Sequence, residues 1–424
     1  MQNSASQEWR KYWTLAIAAA LGNSLTVLPL YSLGPFMASL QGEFGWSRAE
    51  VSLGATVSTS LGAVLGVGVG LLMDRWGPRP IGLLGVALVC GAYSLLGTTS
   101  ASIAHWLSLW VLVGIGAACI KPTVWTSAVS SRFDTSRGLA IAVTICGSGV
   151  AATVIPPLAT WFIETQGWRA AYGGVGLVWA VAVLPFLFLF FRGSQDKRKT
   201  DTAKAGYAGD QLTGLTISEG LRSPAFAKLG FAGMMFAFTL TGLIVHFVPV
   251  LTDRGIDSMT AASIAGLLGI SSLVGRLGAG YLIDRIRADR VAVGAFILPI
   301  FAVLLLLSDG GMPAIILAAI IVGLSLGSEL DVIIYLTTRH LGLKRLGVLF
   351  GTMLLFLSAG SALGPVTSGF IFDTFGSYYY FLLAMIPLVA LGALIVSTLG
   401  PYPIFQTTTT EPAPTAADAP SGAN

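Results

Sequence analysis

The chain has 424 residues, of which 54% are hydrophobic and only 10% charged, with 52 glycines and a mean hydropathy of +0.79. A soluble domain carries about 25% charged residues, so a water-soluble fold is excluded. The formal net charge of +4 comes without any aromatic-interleaved basic patch, which argues against nucleic-acid binding and leaves the basic residues as topology signals.

Twelve apolar segments follow along the chain, at residues 13–38, 49–73, 81–99, 105–131, 138–163, 170–191, 225–252, 259–283, 291–308, 313–338, 347–372 and 378–400. Each is near or above the roughly 20 residues that cross a bilayer as helix, so the pattern predicts an all-α membrane protein. The first segment is too long for a signal-peptide core and has no small-residue cleavage site behind it, so it is expected to be helix one. Residues 1–192 are expected to form an N-terminal six-helix bundle and 224–400 a C-terminal one. Between them, 193–223 reads as a linker with Lys197, Arg198 and Lys199, and 401–424 as a Thr/Pro/Ala-rich disordered tail. Cys90, Cys119 and Cys146 all lie in apolar segments and are odd in number, which predicts packing residues and no disulfide framework.

Most of the 24 Lys and Arg fall on the side of the N-terminus and the linker, so both termini are expected in the cytoplasm of a cell (inner) membrane. The odd-numbered loops hold Arg48, Arg169 and Arg254, while Lys121 and Arg276 lie deep inside segments. The two halves repeat at a nearly constant offset. Gly70-Leu-Leu-Met-Asp74-Arg75-Trp-Gly77-Pro-Arg79 ends helix two, and Gly280-Tyr-Leu-Ile-Asp284-Arg285 ends helix eight. Likewise Arg132 to Gly138 opens helix five, and Arg339 to Gly347 opens helix eleven. A duplicated six-helix unit implies a transporter of two parallel halves, with its binding site between them at mid-membrane. The acid and arginine of each motif can pair across a short turn and hold two helices in one of two arrangements; plain topology anchoring is the alternative.

The motif from Gly70 to Pro80, placed after the second of twelve spans, resembles the loop motif of the major facilitator superfamily. A narrower resemblance is to its monocarboxylate transporter branch. It rests on Arg276 in helix eight, Arg132-Phe-x4-Gly138-Leu-Ala140-x-Ala142 entering helix five, and Phe44-Gly-Trp46-Ser-Arg48 opening helix two. The resemblance implies that the helix-eight arginine binds a substrate carboxylate and that substrate moves with a proton. Helix one departs from the branch's acidic, Gly-rich and Trp pattern, because Ala19 to Ser32 offers only Asn23, Ser24, Thr26 and Tyr31.

Arg276 is surrounded by small and apolar residues, and a charge near the bilayer centre costs about 2.5–3.5 kcal/mol on insertion scales, so it is expected to face a polar cavity. Gly269, Ser272, Arg276 and Gly280 recur on one helix face, giving the guanidinium room to extend. Its planar fork suits a carboxylate. Candidate partners are Glu329 and Asp331 in helix ten, which lie about 200° apart around the axis and cannot share one cavity. Asp331, on a face with Gly327 and Tyr335, is assigned to the pathway, and Glu329 to packing or proton carriage, with the reverse order left open. Lys121, next to Pro122 and one turn before Trp125, is a second cation for the substrate or one half of an ion pair across the halves. Trp125 is expected to supply an apolar wall and Pro122 a kink. His246, on a face with Thr239 and Gly242, is either an interhelical hydrogen-bonder or a relay to substrate and proton. Met353, Phe356, Gly360 and Gly364 offer apolar and small surface on helix eleven, and Asn23, Tyr31, Ser272, Tyr335 and Phe356 are expected to join Arg276, Lys121, His246 and Trp125 around the substrate.

These residues predict a secondary transporter that moves a small organic anion, such as a lactate-like, pyruvate-like or aromatic monocarboxylate, by alternating access with proton symport. A dicarboxylate or anion exchanger, a drug/proton antiporter and a non-transporting receptor are the alternatives. Substrate, protons and lipid are the expected partners, with no cofactor, no metal and no nucleic acid, and the chain is expected to act as a monomer. No nucleophile-base pair, metal-ligand cluster or phosphate loop appears at useful spacing, so an enzyme is not expected.

Overall fold

The computed structural model describes residues 5–193, 213–403 and 405. A bilayer offers no partner for backbone N–H and C=O groups, so each apolar run must satisfy its own, and each is helical. In chain order the helices are α1 (Ala5–Ser24), α2 (Leu28–Phe44), α3 (Arg48–Trp76), α4 (Pro78–Leu95), α5 (Ile103–Cys119), α6 (Pro122–Ser130), α7 (Arg137–Gln166) and α8 (Trp168–Phe190). After the linker come α9 (Ile217–Arg222), α10 (Pro224–Thr252), α11 (Ser258–Ile283), α12 (Ala288–Leu307), α13 (Gly311–Leu341), α14 (Leu346–Phe375) and α15 (Tyr379–Ser397). Among the described residues, eleven helical segments are long and apolar enough to span a membrane, and α3, bent by 52° between Gly66 and Gly68, makes twelve when counted as one span.

Local chemistry sets the boundaries. Gly45 ends α2 in the left-handed region, and Ser47 with Glu50 forms a capping box that starts α3. Gly77, at a φ of 82°, separates α3 from α4, whose first residue is Pro78. The first span is α1 and α2 joined by the short turn Leu25–Val27. In the fourth span the expected kink is a full break: α5 ends at Cys119, Lys121 adopts an extended backbone, and Pro122 begins α6 because it has no N–H to continue the ladder. Residues 194–212, with Lys197, Arg198 and Lys199, and the tail beyond 405 lie outside the described residues. The linker's last stretch pairs with the turn after α13, through Leu215 N–H to Leu341 C=O and Leu343 N–H to Thr213 C=O, both 2.9 Å.

The two halves meet in a symmetric way: α3 lies against α14, α7 against α11, and α2 against α10. Glycine allows the close approaches. Gly269 of α11 packs directly on the α7 backbone at Gly149 and Thr153. Within the second half, Gly275 of α11 abuts the Leu324 carbonyl and Gly327 of α13 abuts the Ser272 carbonyl, so α11 and α13 run in backbone contact.

At the end away from the linker, the far end, a polar clamp joins the halves. Arg48, at the start of α3, makes two parallel bonds to Asp253 at the end of α10 (2.7 and 2.9 Å) and a third to Tyr378 (2.8 Å). Its guanidinium also lies 3.5 Å from the centre of the Phe372 ring. Asp373 accepts from the N–H groups of Arg48 (2.9 Å) and Ala49 (2.8 Å), capping α3 from the other half. The Tyr378 hydroxyl can give one hydrogen bond and accept another. It donates to His246 Nδ1 (2.6 Å) while accepting from Arg48. His246 Nε2 lies 2.9 Å from the Pro365 carbonyl and 3.1 Å from Ser52 Oγ, which assigns the proton to Nε2.

If this clamp holds the far end shut, Arg48→Gln should open it. With the native cysteines replaced, the rate of maleimide labelling at Ser52→Cys should rise at least about tenfold, since the two-pronged pair with Asp253 and the bond to Tyr378 are lost together. An unchanged rate would show that apolar packing alone closes this end. Gly327→Val should lower thermal stability by about 1–3 kcal/mol through collision with α11, read as a lower melting temperature in detergent.

Candidate substrate site between the halves

Between the halves lies a cavity of about 280 Å³, walled by α2, α7, α10, α11, α13 and α14. Its lining is mostly Leu, Ile, Val and Ala, with polar groups from Tyr31, Ser148, Thr241, Ser272, Arg276, Glu329 and Ser361. Such a mix, apolar with a few converging polar groups, is the usual character of a small-molecule site. A larger hollow of about 860 Å³ sits at the far end, but only second-half residues line it, so it does not lie on a path between the halves.

The charged core of the site follows from the glycine contacts. Because Gly275 and Gly327 bring α11 and α13 together, Arg276 and Asp331 meet with Nη1–Oδ1 at 3.0 Å. Their side chains remain 19% and 28% exposed. The pair is single-pronged: one N–H of the guanidinium bonds Asp331, and among the described contacts the rest of the fork is uncommitted. Glu329, on the other face of α13, lines the cavity and is 8% exposed. Its Oε1 has no hydrogen-bond partner among the described residues. The geometry therefore reverses the preferred assignment of the two acids. Asp331 follows Gly327 onto the face packed on α11 and is the arginine's partner, whereas Glu329 opens to the cavity beside Leu326 and Leu330.

A second lobe of about 270 Å³ adjoins the first and shares the walls Leu30, Thr241, Leu357 and Ser361. Lys121 and Pro122, at the break in the fourth span, line it. Lys121 forms no ion pair among the described residues, so the expected bridge to Glu329 or Asp331 is absent in this conformation.

Several sequence-predicted residues lie elsewhere. His246 is fully buried in the far-end clamp, with its ring nitrogens already bonded, and Gly242 on the same face packs on Gly364 and Phe381. Trp125 is not a cavity wall: its ring fills the space beside Gly22 and Gly82, and its N–H donates to the Ile120 carbonyl (2.9 Å). Phe356 turns toward Phe226, Phe231 and Gly230 of the α10 region, because α14 faces α10 on that side. Tyr335 lines neither lobe and packs on the bundle core. Asn23 ties α1 to α7 through the Ile145 carbonyl (3.4 Å) and is likewise outside both lobes. Tyr31, Ser272, Arg276, Glu329 and Lys121 are the site residues brought to the cavity.

The duplicated motifs sit at the linker end as anchors. Gly77 supplies the left-handed turn, Arg79 donates to the Phe188 carbonyl (2.7 Å), and Arg132 donates to the Gly193 carbonyl (3.1 Å). Asp74 and Arg75, which follow Gly70 by a turn, are exposed and make no ion pair among the described residues. Asp284 behaves in the same way, and Arg285 lies over the Tyr281 ring at 3.9 Å. Asp74 and Arg75 are neighbours on α3 and diverge by about 100° around its axis, so the pairing expected within the motif is not made there in this conformation. Sequence reasoning missed the Arg48–Asp253 clamp. The signal was present: Arg48 and Arg169 stand on the side poor in positive charge, and each has an acid, Asp253 and Glu43 respectively.

The chain has known relatives. The family model of the Major Facilitator Superfamily matches residues 19–341. Monocarboxylate transporter 13 of Rattus norvegicus is 26% identical over 377 residues, which cover 86% of this chain and 83% of that one. Monocarboxylate transporter 11 of Homo sapiens is 24% identical, with 90% and 82% covered. Among solved structures, a bacterial homolog to the human lysosomal transporter Spinster, in an inward-facing and unoccupied conformation, superposes with a TM-score of 0.70. That match has 17% identity and covers 91% of this chain and 96% of that one, a likeness that shows the fold. The twelve spans, the paired halves and the family match agree: this chain belongs to the Major Facilitator Superfamily.

Proposed function

We propose that this transporter moves a small organic acid, bound through one carboxylate to Arg276, together with a proton carried by Glu329. The observation that carries the reading is the uncommitted part of the Arg276 fork, held by Asp331 at the wall of a cavity between the halves. Asp331 fixes the guanidinium by one bond and leaves N–H donors for a carboxylate in parallel geometry. The apolar walls accept the carbon skeleton, and Tyr31, Ser148 and Ser361 stand near its polar substituents. The names of the similar mammalian proteins, monocarboxylate transporters, support the same class.

The charge balance explains the coupling. Counting the first lobe alone, Arg276, Asp331 and an ionised Glu329 carry one net negative charge when it is empty; an incoming carboxylate there would double it in a confined apolar space, where charges interact strongly. A proton on Glu329 offsets the added anion, so the loaded and empty sites carry the same charge. Acid anion and proton then cross together, and the step that reverses access moves no additional net charge. The halves rock about the shared site, with the Arg48–Asp253 clamp closed while the linker end gives access. The basic bias of the linker side supports placement in the cytoplasmic membrane with both termini inside.

Uptake by proteoliposomes with an imposed pH gradient tests this reading. Arg276→Gln should reduce acid uptake at least about 30-fold, as expected for loss of a charge pair worth 2 kcal/mol or more, while the protein still inserts and stays monodisperse. Retained uptake would make the arginine structural. Glu329→Gln should preserve exchange of labelled for unlabelled acid but abolish the response to the gradient. An unaltered response would remove Glu329 from the proton path.

A further inference from the structure

Lys121 is the one charged residue among those lining the two lobes that this mechanism leaves unused. It stands at the break between α5 and α6, and its side chain runs along the glycine face of α3: a Cβ at Gly62 would lie 3.6 Å from Nζ, and one at Gly66 3.9 Å from Cε. Those glycines give the chain room to reach the second lobe. Arg276 has Asp331, but Lys121 has no carboxylate among the described residues. An ammonium group in the interior of a membrane bundle is costly without a counter-charge. Other polar groups share the lobe: the hydroxyls of Ser58, Thr59 and Ser358. A cation and three hydroxyls around one lobe form a donor-rich site suited to an acceptor-only group. The two lobes also abut, because Leu30, Thr241, Leu357 and Ser361 belong to both.

We infer that the second lobe is an anion subsite, and that the preferred substrates are acids with a second carboxylate at the far end of the chain, one held at Arg276 and the other at Lys121. This rests on the Arg276 reading and extends it from a single carboxylate to a dianion. The shared apolar waist at Leu30 and Leu357 suits the methylene chain between the two groups, and Thr241 and Ser361 sit where that chain crosses. A monoacid fills the first lobe and leaves the ammonium without a partner. A diacid fills both.

Binding to the purified full-length protein, measured by calorimetry, decides it. Succinate, adipate and suberate are compared with butyrate, hexanoate and octanoate. At least one diacid should bind about tenfold or more tightly than its matched monoacid, which at about 1.4 kcal/mol per tenfold is within reach of one added ion pair. Lys121→Met should bring that ratio close to one, and Lys121→Arg should restore most of it. The ratio is taken within each variant, so a general loss of affinity does not imitate the effect. If Lys121→Met does not fold, Lys121→Gln serves in its place. Diacids no tighter than monoacids in the natural protein, or an advantage that survives loss of Lys121, would overturn the subsite and leave the Arg276 reading intact. Monoacid binding that persists in Arg276→Gln would overturn that underlying reading, and absence of binding by every acid in the panel would overturn both.

Discussion

A guanidinium inside a bilayer must be paired or hydrated, and the rest of the site depends on how Arg276 meets that requirement. The partner is Asp331, reached because Gly275 and Gly327 let α11 and α13 run in backbone contact. A side chain at either glycine would push the helices apart and separate the charges. Yet the pairing is single-pronged and Arg276 still lines the cavity, so the arginine is stabilised without being fully occupied. A bidentate and fully buried pair would have been a structural tie. This one leaves donors for a visitor.

The two ends of the bundle divide the remaining work. At the far end, Arg48 binds Asp253, Tyr378 and the Phe372 face, and Asp373 caps α3 from the opposite half, so each half completes the other's polar groups. His246 is drawn into this closure through Tyr378 and the Pro365 carbonyl. At the linker end, the described ion pairs Arg137–Asp134 and Arg287–Asp289 each stay within one half. The asymmetry supports alternating access, with strong polar closure on one side and anchoring on the other, around a cavity fixed between them.

Much of this was legible in the sequence because membrane insertion leaves coarse marks. Apolar runs of spanning length, the basic bias of alternate loops and the repeated Gly-Asp-Arg motifs fix the number of helices and the doubling of the fold. Arg276, Lys121 and Glu329 stood out because charge in an apolar run is rare. What the sequence did not carry was helix rotation. Asp331 and Glu329 differ by two positions, and only the backbone contact at Gly327 shows which of them turns to α11. Trp125, Phe356 and Asn23 are aromatic or polar side chains within spans, which is what a cavity lining would contain, but packing against Gly22, Phe231 and the Ile145 carbonyl takes them elsewhere. His246 shows the same limit, since its partners come from α3, α14 and the segment before α15, distant in sequence.

In the proposed mechanism a carboxylate and a proton arrive at the same site. Its most direct test is proton uptake on binding: a substrate acid is added as its salt to the purified protein in weakly buffered detergent solution, and the pH change is read against the amount bound. One proton should be taken up with each acid anion, and none when Glu329→Gln binds the same acid. Binding that leaves the pH unchanged in the natural protein would contradict it.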